Sequence, residues 1–266
     1  MTMQETGSDP QWLSFRRALE AAIGVPLGQY KEPQMKRRLG SLMTRRGISS
    51  WTAFSRAISA DPKLLDEVRD TLTINVSEFF RQPERFRELE TRWFPQLLKE
   101  RRSLKIWSAG CSIGCEPYTI AMILDRIDPQ GRHSILATDV DMPILSRAKD
   151  GAGYLPSEVR SVPPDYLKRY FIHEDGTYRV VDEIRRKVTF RRHDLLKDAY
   201  PSDLDLIACR NVVIYFTDEA KVHIYAGFSK ALRPGGVLFV GGSEMIMRSS
   251  DIGLKTAGVN LYQRAA

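Results

Sequence analysis

Residues 104–118, Leu-Lys-Ile-Trp-Ser-Ala-Gly-Cys-Ser-Ile-Gly-Cys-Glu-Pro-Tyr, decide how this chain is read. An apolar, strand-like run ends at Gly110, and a helical pattern begins directly after Gly114. Glycines let the backbone turn sharply and approach a ligand, and Pro117 suits the first turn of a helix. The G-x-x-x-G spacing, followed at once by Glu116, departs from the G-x-G-x-x-G that accepts a pyrophosphate. Adenosine without phosphates is therefore the ligand to expect. An acidic residue at the end of the next strand would bond the ribose hydroxyls, and Asp139 stands there in Ile-Leu-Ala-Thr-Asp-Val-Asp. An ordinary turn followed by a helix cap would produce the same pattern, so the reading needs support from elsewhere in the chain.

Downstream, short β-branched runs alternate with helical segments: HSILATD, PILSRAKDG, VTFRRHD, DLDLIACRN, EAKVHIYAGFSKAL and GVLFVGG. This alternation predicts an α/β fold with a doubly wound, mainly parallel sheet whose ligand lies beyond the carboxyl ends of the strands. The closing stretch LKTAGVNLYQRAA adds a further short strand. Residues 178–190, after the turn signal Glu174-Asp175-Gly176, read as a small antiparallel excursion. Upstream, LSFRRALEAAIG, PQMKRRLGSLMTRRG, WTAFSRAISAD and PKLLDEVRDTLTI carry helical periodicity and no convincing strand. The expected organisation is a helical domain over 1–74, a linker and ligand-loop segment over 75–102, and an α/β domain over 103–266 with an inserted β-subdomain at 173–190.

The 266 residues suffice for a sizeable core. No apolar run approaches the roughly 18 residues of a membrane span, and the polar start lacks a signal-peptide centre, so a cytoplasmic protein without membrane insertion is expected. Cys111, Cys115 and Cys209 have no neighbouring histidine to complete a zinc set, so no metal is expected. The formal charge of +7 suits an anionic partner. Part of it is concentrated between Lys31 and Arg46, where six basic residues face only Glu32. In that helix Met35, Leu39, Leu42 and Met43 form one stripe while Arg37, Arg38 and Arg45 project from another side, an arrangement that an ordinary solvated face would also give.

Three strings give the glycine turn its support: Asn75-Val-Ser-Glu-Phe-Phe-Arg81, Trp107 through Tyr118, and Cys209-Arg-Asn-Val-Val-Ile-Tyr-Phe216. Their order and spacing resemble the CheR family of chemotaxis receptor methyltransferases, over nearly the whole chain. The resemblance implies a Rossmann-like methyltransferase fold and transfer of a methyl group from S-adenosylmethionine to glutamate side chains of chemoreceptors, leaving S-adenosylhomocysteine. It implies cofactor contacts from Asn75, Ser77 and Arg81, from the turn at Gly110, from Glu116 and Asp139 to the amino acid and adenosine parts, and from Arg210 and Asn211. Asp194 and Leu195 match the positions that hold the adenine edge, where the family usually has asparagine first. Arg81 and Tyr215 match residues lining the methyl-transfer site. The basic helix, with Arg37, Arg38 and Arg45, matches the one expected to meet the acidic cytoplasmic methylation helices of the receptors.

Two departures carry expectations of their own. Cys115 replaces the first of two successive glutamates and is expected to be a packed thiol, since methyl transfer needs no covalent cysteine. The turn around Glu174–Thr177 is short, which predicts receptor recognition without a C-terminal tethering peptide. A nucleic-acid methyltransferase would be expected to carry an Asn-Pro-Pro-aromatic motif after the fourth strand, where this chain has Cys-Arg-Asn-Val-Val-Ile-Tyr, so no nucleic-acid partner is expected. A non-catalytic cofactor-binding adaptor would be expected to have lost Arg81, Glu116, Asp139 or Tyr215, and all four are present. A monomer is expected.

Overall fold

The computed structural model describes residues 9–72 and 77–265. They fall into two compact units, one formed by residues up to 75 together with 215–218, the other by 76–214 and 219–266.

The first unit is helical. α1 (Pro10–Ile23) starts where the Asp9 carboxylate accepts from the Gln11 N–H at 2.9 Å, and ends at Gly24 in the left-handed region. α2 (Glu32–Arg45), α3 (Trp51–Ala60) and α4 (Pro62–Leu72) follow. Apolar residues at helical spacing turn inward: Trp12, Phe15 and Leu19 from α1, Met35, Leu39, Leu42 and Met43 from α2, Phe54 and Ile58 from α3, Leu64 and Val68 from α4. Phe15 stacks on Phe54 with ring centroids 5.3 Å apart, and Trp51 meets Trp12 edge-on at 4.8 Å. Each such fully buried large side chain contributes about 1.5–3 kcal/mol.

The second unit is the expected α/β layer. Its strands are β1 (Lys105–Ala109), β2 (Ser134–Asp139), β3 (Phe171–Glu174), β4 (Thr177–Val180), β5 (Val188–Arg192), β6 (Leu204–Cys209), β7 (Leu232–Val240), β8 (Leu254–Gly258) and β9 (Leu261–Arg264). Seven of them form one sheet in the order β5-β2-β1-β6-β7-β9-β8. The pairings β5-β2, β2-β1, β1-β6 and β6-β7 are parallel; β9 runs antiparallel between β7 and β8. The last stretch of sequence, read as one short strand, thus folds as a hairpin. β6 is buried along its whole length, and Asp205 alone interrupts its apolar run.

Two boundaries differ from expectation. Residues 77–102 hold α5 (Pro83–Glu88) and α6 (Phe94–Glu100), and bury Phe79, Phe80, Phe86, Leu89, Trp93, Phe94 and Leu97 in the core of the second unit. They are structural body rather than connection, because aromatic side chains in so short a segment can only be covered by the sheet layer. The inserted antiparallel sheet is β3-β4 alone, from Phe171 to Val180, while Val188–Arg192 pairs with β2 in the main sheet.

β1 lies between β2 and β6, so the connections leaving β1 and β6 diverge to opposite sides of the sheet between these two strands. Ligands bind at such a point. At the other end of α7 (Cys115–Ile127), the carboxylate of Asp125, only 2% exposed, accepts from Tyr170 Oη at 2.9 Å and Arg169 at 3.1 Å and pairs with Lys187 Nζ at 2.8 Å. Burial raises its pKa, but the hydrogen bonds from Lys187 and Tyr170 outweigh that and hold it below the usual carboxylate value. The ion therefore contributes stability above the unfolded-state pKa of about 3.9, and the contribution is lost as pH falls through the lowered folded value. Asp125→Asn is expected to cost about 3 kcal/mol at pH 7, and the gap in Tm to wild type should close towards pH 3. A gap that does not change with pH in thermal denaturation would overturn this account.

Candidate active site

The site grows from the carboxyl ends of β1, β2, β5 and β6. After β1 the chain turns at Gly110, with φ of +76°, and the N–H groups of Gly110 and Cys111 both donate to the Thr138 carbonyl, at 2.8 and 2.9 Å. A methyl group on Gly110 would come within 2.6 Å of Val212 Cγ2, so the loop after β6 lies directly on this turn. Gly114, with φ of +87°, starts α7 against Tyr118 and Ala148. The turn is thus held by glycine's conformational freedom at one end and by close packing at both.

Glu116, in the first turn of α7, accepts from Ser108 Oγ at 2.8 Å through Oε1, and its Oε2 lies 3.9 Å from Arg210. Burial raises the pKa of Glu116 and lowers that of Arg210, in each case against the attraction of the other. Desolvation outweighs the pairing for both ions. Arg210 also donates from one nitrogen to the Arg81 carbonyl at 2.8 Å and to Gln82 Oε1 at 2.7 Å, and its guanidinium lies over the rings of Phe86 and Phe239 at 5.0 and 4.5 Å. The positive charge of Arg81 is felt at Glu116. Asp139, at the end of β2, accepts from the Ser112 N–H at 2.9 Å and the Asp141 N–H at 3.1 Å; burial raises its pKa. Asp194 Oδ1 accepts from the Leu196 N–H at 2.9 Å, whereas its buried Oδ2 has no hydrogen-bond donor and lies 3.9 Å from Lys197 Nζ. Leu195, also buried, receives the Tyr200 hydroxyl on its carbonyl at 2.6 Å.

The structure therefore gathers Arg81, Gly110, Glu116, Asp139, Asp194, Leu195, Arg210 and Asn211 at one end of one sheet. Ser77 neighbours the Cys115 thiol, which is fully buried; burial pushes its pKa far up, as befits a packed thiol. Asn75 lies outside the described residues. Tyr215 clusters with the helical unit, where its carbonyl accepts from the Lys31 N–H at 2.9 Å. In that unit Arg37 and Arg45 are exposed, while Arg38 is half-buried and donates to the Leu72 carbonyl at 3.0 Å.

Sequence reasoning missed Glu244. Its carboxylate is 3% exposed and accepts from the N–H groups of Asn211, Val212, Val213, Ile214 and Gly241 at 2.7–3.2 Å. The one available signal was an acid in Gly241-Gly242-Ser243-Glu244, just past the end of an apolar strand.

The family model described as CheR methyltransferase, SAM binding domain, matches residues 75–260, and the CheR methyltransferase all-alpha domain matches residues 11–73. The chain belongs to the CheR methyltransferase family. It is 41% identical to the chemotaxis protein methyltransferase of Listeria monocytogenes over 96% of this chain and 97% of that protein. It is 42% identical to the Listeria innocua protein of the same name, with the same coverage, and 36% identical to chemotaxis protein methyltransferase 1 of Pseudomonas aeruginosa over 89% of this chain and 90% of that one. The cofactor of this CheR chain is accordingly S-adenosylmethionine.

The residues present fit that molecule. The buried Oδ2 of Asp194 is an acceptor with no donor, suited to an adenine amino group, and the buried acids Glu116 and Asp139 suit donors such as an ammonium and ribose hydroxyls. The glycine turn gives the backbone close approach. Gly110→Ala would add both backbone strain and a clash with Val212, and S-adenosylhomocysteine affinity is expected to fall at least about tenfold. Gly47→Ala shares the positive φ but meets nothing within 4 Å, so it should leave affinity unchanged. Calorimetric titration compares the two, and equal affinities would count against the turn as the cofactor's seat.

Proposed function

We propose that this CheR methyltransferase transfers the methyl group of S-adenosylmethionine to glutamate side-chain carboxylates of chemoreceptors, giving methyl esters and S-adenosylhomocysteine. The observation that carries this reading is that the cysteine thiols and the histidine at this end of the sheet are not set up as nucleophile or general base. The thiols of Cys111, Cys115 and Cys209 are buried and held protonated. His193 has its pKa lowered by burial and its Nε2 against the Ala199 carbonyl. The acceptor must then arrive already nucleophilic, as a glutamate carboxylate does, with a reference pKa of about 4.3.

The cofactor supplies an electrophilic methyl on a sulfonium. The protein's task is to place the acceptor in line with it. The Arg81 guanidinium, held by the anchoring of its own carbonyl to Arg210, has the fork of donors that orients a carboxylate. Tyr215 is assigned to orient the acceptor or border the methyl. Ser77, Arg81, Gly110, Glu116, Asp139, Asp194, Leu195, Arg210 and Asn211 are assigned to the cofactor, and Asn75 joins them on the family resemblance alone.

Arg37 and Arg45 stand exposed on α2 and form no ion pair among the described residues, which suits contact with acidic receptor helices; Arg38 joins them with part of its donor capacity already used. The hairpin of β3 and β4 closes through Asp175 and Gly176, both at positive φ, a tight two-residue turn that supports recognition without a tethering peptide. No helix among the described residues is long and apolar enough to cross a membrane, and none of their acidic, histidine or cysteine side chains forms a group that could hold a metal.

Incubation with tritiated S-adenosylmethionine and receptor-containing membranes should put base-labile methyl label on the receptor. Stable label in added RNA instead would overturn the reading. Reversing Arg37 and Arg45 to glutamate is expected to raise the apparent KM for receptor several-fold at low salt, with S-adenosylhomocysteine affinity unchanged. An unaltered KM would remove the basic helix from substrate recognition.

A further inference from the structure

Glu244 is a buried carboxylate and among the most fully engaged side chains of the second unit. Oε1 accepts from the N–H groups of Val212, Val213 and Ile214 at 2.9, 2.7 and 3.2 Å; Oε2 accepts from those of Asn211 and Gly241, both at 2.7 Å. Four of the five donors belong to consecutive residues. Such convergence requires an unusual backbone, and Asn211 provides it with φ of +60°, in the left-handed region that asparagine tolerates. Without the carboxylate the half-buried amides of Asn211, Val212 and Ile214 and the buried one of Val213 would lose this acceptor, and a buried donor left unsatisfied costs about 1–3 kcal/mol.

The loop is also where the cofactor end of the molecule is assembled. Val212 lies on the Gly110 turn, and Arg210, immediately before the bonded amides, reaches Glu116, the Arg81 carbonyl and Gln82. The other side of the junction is equally tight. A methyl on Gly241 would come within 2.5 Å of Glu244 Oε2 and 2.7 Å of the Asn211 nitrogen, and one on Gly242 within 2.7 Å of Gln82 Nε2. Gly241-Gly242 thus lets the chain after β7 close onto both the Asn211 loop and the Arg81-Gln82 segment.

We propose that Glu244 is a positioning residue for methyl transfer: by accepting hydrogen bonds from Asn211, Val212, Val213, Ile214 and Gly241, it fixes the loop that presents Arg210 and Asn211 to the cofactor. The inference rests on the assignment of those two residues as cofactor contacts. Two acceptor oxygens are essential to the role. Glutamine has nearly the same shape but a single acceptor oxygen, and its amide nitrogen would face backbone N–H groups at one end of the cluster.

Glu244→Gln is expected to weaken S-adenosylhomocysteine binding at least about tenfold by calorimetry, at a temperature where circular dichroism shows the variant folded. Amide exchange at Val212 and Val213 should accelerate in parallel. Asp125→Asn removes another buried, hydrogen-bonded carboxylate of the same unit, so it should lower Tm while leaving that affinity within about twofold of wild type. Wild-type affinity in folded Glu244→Gln, or an equal loss in Asp125→Asn, would sink the proposal. Should Glu244→Gln not fold, Gly241→Ala disturbs the same junction with the carboxylate retained, and the same criteria apply. Asn211→Ala separates the premise from the inference. If it leaves affinity intact, the assignment of the loop to the cofactor fails; if it weakens binding while Glu244→Gln does not, only the positioning role fails.

Discussion

Burying the Arg210 guanidinium removes it from water, and the rest of the site is organised around making that tolerable. Its pKa is driven down by burial, so the attraction of Glu116 does not by itself balance the lost hydration. The difference is made up by the faces of Phe86 and Phe239 and by two acceptors, the Arg81 carbonyl and Gln82 Oε1. These partners come from three stretches of chain: α5 and the segment before it, β7, and the first turn of α7. A single desolvated cation therefore fixes three segments relative to the end of β6. Phe80 and Gln82, both at positive φ, are the local strain this arrangement tolerates.

The α/β architecture was legible in the sequence because its strands are buried on both faces. β6, with every residue of Leu204–Cys209 buried, reads as an apolar run interrupted only by Asp205, and the helices between strands keep their own period. What resisted reading was wherever tertiary burial overrode local pattern. Residues 77–102 look like a connection because their helices are short and interrupted by Pro83 and Pro95, yet their aromatics fill the core. Likewise, Leu254–Gly258 and Leu261–Arg264 are short and turn about Asn260, so one strand was expected where a hairpin forms.

The site divides along the same line. Glu116 and Asp139 were legible because their positions are set locally, one in the first turn of the helix after a glycine turn and the other at a strand end. Arg210 was legible only as part of a motif, and its many partners were not. Glu244 was invisible, since four of its five donors lie about thirty residues upstream and are backbone groups that no side-chain pattern announces. Arg38 illustrates the converse. Charge on a helix face suggested a free cation, but one nitrogen is engaged at the end of α4 because that helix terminus leaves carbonyls without partners.

The acids of the second unit fall into two groups by the direction in which folding moves their pKa. Asp125, Asp165 and Asp203 are lowered, the last two chiefly by hydrogen bonds from Arg126 and from Arg101 and Lys105; these ions are more comfortable folded than unfolded near neutral pH. Glu116 and Asp139 are raised, chiefly by burial. For such a group the folded state binds the proton more tightly than the unfolded one, so stability falls as pH rises through the window between the two values. Once ionised, the site acids therefore work against the fold that holds them. A ligand that donates hydrogen bonds or positive charge to them removes that penalty, which links cofactor binding to stability. The same burial that makes these acids costly sharpens the site's preference for a ligand with donors matched to both.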